Sequence, residues 1–273
     1  MRLVHPARAA LLGLVAAITT GCSYSIPRLS FAVEQRFLRE TTLDDMPEGQ
    51  AADGDGVVRV VRMGAHPGRC SGALVGPRHV LTAAHCIAKR DAKRELTVGQ
   101  IVPGDVHVEL GGGYLPWGRV GVRYVRACDG YVGDLEHDLA ILVLSKAVPV
   151  EVRPFELGYD VPDEAAVYEL AGFGSSAKPR TMPETGWAVL SLERHVFRGP
   201  VVGVTDDRLM VEVPGRPGDS GGPIVDTITG RVVSVVSRGR VGDEGSASGE
   251  ATPLVGGPRL FTCKSALADA LAR

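Results

Sequence analysis

Three side chains in this sequence are of the types that acyl transfer requires. Ser220 lies in RPGDSGGPIVD (216–226), His85 in LTAAHC (81–86) and Asp138 in EHDLAIL (136–142). A serine hydroxyl attacks a carbonyl only if a base takes its proton and a third group orients that base. Taken singly, each residue has an ordinary explanation. The serine sits in a glycine-rich turn, and a histidine beside Cys86 can be structural. Asp138 immediately precedes an apolar run, where a buried carboxylate is costly unless it is hydrogen-bonded. Together the three form a complete set for nucleophilic catalysis. The remaining histidines (His66, His79, His107, His137 and His195) fall in no ligand pattern and read as surface or packing residues. No metal or cofactor is expected. The stretch 44–57 lacks the oxygen-ligand spacing of a calcium loop, and GGG (111–113) is not followed by the helix and lysine of a phosphate loop.

Something rigid must hold these side chains together. From Val57 on, short apolar runs alternate with Gly and Pro: VVRVVRM (57–63), SGALVGPRHVLTAAHC (71–86), VHVEL (106–110), LAILVLS (139–145), RLMVEV (208–213) and GRVVSVVSRG (230–239). Many short strands with recurring turn signals predict an all-β sandwich or barrel. The final segment, CKSALADALAR (263–273), has helical apolar spacing at Leu267, Ala270 and Leu271 and is expected to close the fold as a helix. The chain of 273 residues, with 35 Gly and 18 Pro, can bury one large β domain or two small lobes. A formal net charge of −2 implies no nucleic-acid partner.

Residues 1–22 read as a targeting signal. Arg2 and Arg8 precede a short apolar run from Ala9 to Ile18, and TTGC ends at Cys22. This segment resembles a bacterial lipoprotein signal, in which Cys22 becomes the lipidated first residue and tethers the chain to a membrane. An ordinary secretory signal cut nearby is the alternative. In either case the chain is exported, as a membrane-anchored lipoprotein or as a secreted or periplasmic protein. Residues 23–56 are expected to be a flexible tether, since 41–56 are polar, acidic and glycine-rich. With lipid on Cys22, four of the five cysteines remain: Cys70, Cys86, Cys128 and Cys263. In an oxidising compartment they can form two disulfides in three ways.

LTAAHC, HDLAIL, AGFG (171–174) and GDSGGP, in that order, resemble the trypsin/chymotrypsin family of serine proteases. The resemblance runs from about Val57 to Arg273. It implies two six-stranded antiparallel β-barrels with a C-terminal helix, and a cleft between them. It further implies that Ser220, His85 and Asp138 act as nucleophile, base and orienting carboxylate on a polypeptide substrate. The backbone N–H groups of Gly218 and Ser220 would form the oxyanion hole. Cys70 and Cys86 match the family disulfide beside the histidine, which leaves Cys128 and Cys263 to pair by elimination. Nothing in the sequence demands an oligomer, and a monomer is expected.

Several positions depart from that pattern. Family members are mostly activated when a cleaved N-terminus pairs with the aspartate before the serine, here Asp219. No matching N-terminal motif precedes this domain. Either an internal residue satisfies Asp219 or a cleavage occurs elsewhere, with Arg36, Arg39, Arg59 and Arg62 as sites open to a trypsin-like cut. Activity without cleavage is expected. The resemblance would put Pro214, six residues before Ser220, at the base of the specificity pocket. Ser237 and Gly239, in SRG, match the strand that pairs with substrate. GPRLFT (257–262) aligns Arg259 with the pocket wall, where it would favour an acidic P1 residue; the alternative is a solvated surface arginine. Two rival functions stay open: a protease-like binding or adhesion module that no longer cleaves, and an esterase using the same acyl-transfer groups.

Overall fold

The computed structural model describes residues 49–63, 68–90, 96–97, 105–113, 116–131, 137–175, 179–181, 188–190, 193–240 and 254–273. The targeting segment, Cys22, most of the expected tether and His66 lie outside the described residues. Six strands form a closed antiparallel barrel: β1 (Val57–Arg62), β2 (Gly68–Gly76), β3 (His79–Thr82), β6 (Val106–Leu110), β7 (Gly118–Ala127) and β8 (Ala140–Leu144), in the cyclic order β1-β2-β3-β8-β7-β6. A two-strand ladder, β4 (Lys89–Arg90) with β5 (Leu96–Thr97), lies between β3 and β6 in the sequence.

Strand β1 shows why its sequence reads VVRVVR rather than as a simple alternation. Val58 and Val60 enter the interior of the first barrel with Leu74, Leu81 and Leu142. Val57, on the opposite face, packs with Ala171 and Phe173 of the second half of the chain. Arg59 is buried on that same face, its guanidinium 4.2 Å from the centre of the Phe173 ring. A strand covered on both faces has no solvent side to mark with polar residues.

The second half contains β9 (Val167–Gly172), β12 (His195–Val204), β13 (Arg208–Glu212), β14 (Pro223–Asp226), β15 (Val232–Val235), β16 (Arg238–Arg240) and β17 (Leu254–Pro258), with a small ladder of β10 (Pro179–Thr181) and β11 (Ala188–Leu190) beside them. The hydrogen-bonded order is β15-β14-β9-β12-β13-β17-β16. Strands β15 and β16 are successive pieces of one run. The first pairs with β14, the second pairs with β17, and Ser234 bridges to Arg259 just past β17. Counted as one interrupted strand, they close a second six-stranded antiparallel barrel, as expected. Its core holds Tyr168, Leu170, Leu209, Val211, Ile224 and Val255.

The interruption falls at Val236 and Ser237, where the backbone bonds instead to the turn carrying Ser220. Gly221 N–H donates to Val236 C=O at 2.6 Å, and Val236 N–H donates to Gly222 C=O at 2.9 Å. The closing helix is present as α2 (Lys264–Leu271). Ala266, Leu267 and Ala270 are its buried face, and it returns to pack on β7 and β8 of the first barrel. Among the described residues no helix is long and apolar enough to cross a membrane.

The folded domain begins earlier than the expected boundary at Val57. Asp55 is buried, and its carboxylate accepts hydrogen bonds from Trp117 Nε1 at 2.8 Å, Ala52 N–H at 2.9 Å and Arg194 at 2.9 Å. Residues 51–56 are therefore anchored structure. Their Gly- and Asp-rich composition, read as a spacer, serves a tight turn around a buried charge.

Candidate active site

His85 lies in α1 (Ala84–Ile87), a single helical turn directly after β3. Asp138 directly precedes the Leu139 and Ala140 that lead into β8, and β3 and β8 are paired through Thr82 and Ala140. That register brings the two side chains together. Asp138 Oδ2 lies 2.7 Å from His85 Nδ1, and Oδ1 accepts the backbone N–H of His85 at 2.7 Å. The Ser237 hydroxyl donates to the same Oδ2. Asp138 is 3% exposed, so its charge is carried by these three donors rather than by water. His85 keeps 23% of its side chain accessible. With Nδ1 turned to a carboxylate acceptor, that nitrogen carries the proton and Nε2 is left as the free lone pair.

Ser220 sits beside this pair on two consecutive turns. The first runs Arg216-Pro217-Gly218-Asp219, closed by Asp219 N–H donating to Arg216 C=O at 3.0 Å. Gly218 has φ +106°, so proline at the second position and glycine at the third make a type II turn. The second turn is closed by Gly222 N–H donating to Asp219 C=O at 2.8 Å. These bonds orient two peptide groups. The Pro217 carbonyl accepts Ser175 N–H at 2.9 Å, and across a trans peptide the Gly218 N–H must point the opposite way. The Asp219 carbonyl is likewise committed, which turns Ser220 N–H away from it. Neither N–H has an acceptor among the described residues.

The turns are braced from the first barrel by Ser71 on β2. Its N–H donates to Ser220 C=O at 2.8 Å, and its hydroxyl donates to Gly218 C=O at 2.8 Å while accepting Phe173 N–H at 2.9 Å. Ser220 C=O is also 3.6 Å from Cys86 Sγ, and His85 Nε2 is 3.8 Å from the same sulfur. The serine and histidine segments thus meet at the Cys70–Cys86 disulfide. Among the described residues no hydrogen bond joins Ser220 Oγ to His85 Nε2. Cys70, His85 and Cys86 cluster closely enough for a metal, but both sulfurs are in the disulfide and neither offers a thiolate.

Asp219 is wholly buried. Oδ1 accepts Gly174 N–H at 2.8 Å and Oδ2 accepts Arg216 N–H at 2.8 Å. His195 Nε2 also stands 2.8 Å from Oδ1, an ion-pair distance off the line of an ideal hydrogen bond. The β9–β12 register pairs His195 with Gly172. A Cβ on Gly172 would lie 2.4 Å from Asp219 Oδ1, so only glycine there leaves room for the carboxylate.

The expected pocket residues divide. Ser237 and Gly239 lie alongside β17: Ser237 N–H donates to Gly256 C=O at 3.0 Å, and Gly239 pairs with Val255. Pro214 is exposed, two residues before Arg216. Arg259 is not brought to Gly239. The β16–β17 register places Val255 and Gly256 there and sets Arg259 opposite Ser234. Its guanidinium donates to the carbonyls of Thr205 at 3.2 Å and Asp206 at 3.1 Å, closing the turn between β12 and β13. Arg259 is 7% exposed, so it is neither the expected pocket cation nor the solvated alternative.

The trypsin family profile matches residues 50–255. The chain belongs to the trypsin family. The cercarial protease of Schistosoma mansoni is 28% identical over 189 residues, covering 62% of this chain and 70% of that protein. Among solved structures, a Glu endopeptidase superposes with a TM-score of 0.60 at 17% identity, over 84% of this chain and 96% of the other. An inactivated protease paralogue of the scabies mite gives 0.61 at 19% identity, over 80% and 96%. Such likenesses in structure bear on the fold alone. Membership in a protease family implies polypeptide substrates. It does not settle activity, since the fold also carries an inactivated member.

Within a trypsin-family chain both disulfides take the expected pairs, Cys70 with Cys86 and Cys128 with Cys263. The second joins the end of β7 to the start of α2 and closes a loop of 135 residues, so it limits the unfolded chain strongly. Two residues at the site escaped the sequence. Ser71 was part of an apolar run with no motif of its own. His195 was read as a surface or packing histidine. The clue to it is indirect: the aspartate before the serine calls for either an internal partner or a cleaved terminus.

Proposed function

We propose that this trypsin-family protein is a serine endopeptidase with Ser220 as nucleophile. The observation that carries this is the His85–Asp138 pair, locked by Ser237, with His85 Nε2 and the Ser220 carbonyl meeting at the same sulfur, Cys86 Sγ. Asp138 holds the proton on Nδ1, so Nε2 accepts the Ser220 proton as Oγ bonds to the substrate carbonyl carbon. The C–N bond then breaks, and the amine leaves with the proton from Nε2. Water repeats the sequence against the acyl-enzyme and regenerates Ser220. The N–H groups of Gly218 and Ser220 receive the developing oxyanion. Both are oriented before substrate arrives, and this saves reorganisation in the transition state. Strand β16 is the end strand of its sheet order, so an extended peptide can pair along it near Gly239. The position of Arg259 lends no support to an acidic P1 preference.

Two disulfides suit an oxidising compartment and support export, with Cys22 as the proposed lipid anchor. One observation favours the second reading, a non-cleaving binding module: the missing hydrogen bond between Ser220 Oγ and His85 Nε2. Such bonds often tighten only when substrate binds, so endopeptidase is the stronger reading. Assays on a peptide library and on simple esters, run in parallel, test it. The expected result is peptide cleavage that falls by about 10⁴-fold or more in Ser220→Ala. Ester hydrolysis without peptide cleavage would replace endopeptidase by esterase. Neither activity, in folded protein, would leave the binding module.

A further inference from the structure

We propose that His195 is the positioning residue that holds the oxyanion turn in its working shape, in the place that a cleaved N-terminus takes in most trypsin-family enzymes. This rests on the reading of Ser220 as nucleophile. Asp219 is the hinge between the two turns: its N–H closes the first and its C=O closes the second. The direction of the Gly218 and Ser220 N–H groups therefore depends on where its side chain is fixed. That side chain is a carboxylate with no exposure. Two backbone N–H groups and one imidazole meet it, and the imidazole alone can supply a positive charge. The next cation, Arg216, is turned aside, with its guanidinium 4.8 Å from the centre of the Phe197 ring. The same ring braces His195, at 4.9 Å between centroids.

The residue before His195 removes the competing arrangement. Arg194 binds Asp55 at 2.9 Å and the Asp53 carbonyl at 2.6 Å, so the chain leading into β1 is held away on its own anchor. Neighbouring side chains thus fix the N-terminal segment with one hand and Asp219 with the other. Of the arginines open to an activating cut, Arg59 and Arg62 lie within β1, and a break at either would take a strand from the first barrel. The uncleaved chain already contains the contact that cleavage elsewhere provides.

The test compares wild type, His195→Ala, His195→Gln and Ser220→Ala on a peptide cleaved by the wild type, with N-terminal sequencing of the active protein. The expected wild type is active with no new internal terminus. His195→Ala should lose about 10²–10³-fold in kcat with KM little changed, the loss seen when an oxyanion donor is removed. Added imidazole should restore part of that loss in His195→Ala and none in wild type. His195→Gln keeps an N–H donor near the carboxylate and should lie between the two. Circular dichroism and the melting temperature confirm that each variant is folded, and His195→Gln carries the test if His195→Ala is not. Unchanged kcat in folded His195→Ala would overturn the proposal, as would wild-type activity that appears only with a new internal terminus. Wild type and Ser220→Ala behaving alike would instead remove the reading of Ser220, which this experiment thereby distinguishes from failure of His195.

Discussion

Two aspartate–histidine pairs lie on either side of Ser220, and they are built alike. Asp138 and Asp219 are both buried, the first accepts one backbone N–H and the second two, and each has an imidazole nitrogen within 2.8 Å. They differ in what the other side of the ring meets. His85 is 23% exposed and its second nitrogen lies 3.8 Å from Cys86 Sγ. His195 is 14% exposed, its ring lies against Phe197, and among the described residues neither ring nitrogen makes a hydrogen bond, Nε2 meeting Asp219 at ion-pair distance only. On the function proposed above, the first ring would exchange protons with a reacting group and the second would hold its carboxylate. The proposed roles thus divide one pair of residue types by exposure of the ring, chemistry at the more open histidine and positioning at the more enclosed one.

Removing the charge from Asp138 should have the largest effect on this contrast. Asp138→Asn presents an amide donor to Nδ1, favours the wrong tautomer of His85 and should lower kcat by about 10⁴-fold, with stability largely kept. Kinetics on a peptide substrate, with a melting curve as control, check it. The His195 variants described above should act next most strongly, by shape rather than by tautomer.

A third pair sharpens the comparison because it has no part in the cleft. His107 Nε2 is 3.2 Å from Glu109 Oε1 on β6, and Glu109 is buried. Burial pushes the Glu109 carboxyl up, but the hydrogen bond and charge of His107, with Arg59 and Arg69, outweigh it and hold it below the usual carboxylate range. A carboxyl held low contributes stability that is complete above its ordinary range and is lost as pH falls through its lowered value. Glu109→Gln should therefore cost about 1–3 kcal/mol near neutral pH and progressively less in acid, with kcat unchanged. Denaturant unfolding of both proteins across that pH range would check it. An equal cost at every pH would mean that packing, not charge, makes the difference.

How far the sequence could be read follows from which contacts are local. Ser220 with its flanking glycines, and His85 beside Cys86, are legible because turn geometry and the neighbouring disulfide constrain adjacent residues. Asp138 is legible from its place before a buried strand. Strand patterns predict a sandwich or barrel and the family resemblance implies two closed barrels, but neither shows the broken strand of the second. Its break at Val236 and Ser237 is set by backbone bonds to Gly221 and Gly222, which no local pattern encodes. Arg259 shows the same limit. A motif alignment across the loop 240–256 placed it at the pocket wall, whereas the register of β16 with β17 sets it opposite Ser234. His195 sits in an ordinary strand, and its role comes wholly from pairing with Gly172 and from Asp219 beyond it. Residues 51–56 show the limit in another form, since a short polar, glycine-rich stretch looks alike whether it is solvated or wrapped around a buried carboxylate such as Asp55.

The central claim is that Ser220 is an activated nucleophile in a chain that has not been cut within its protease domain. The most direct measurement is mass spectrometry of the folded, purified protein after reaction with a fluorophosphonate, with Ser220→Ala alongside. One adduct per chain, mapped to Ser220, is expected on protein whose domain is unbroken. The absence of any adduct on intact folded protein, or an adduct that survives Ser220→Ala, would contradict it.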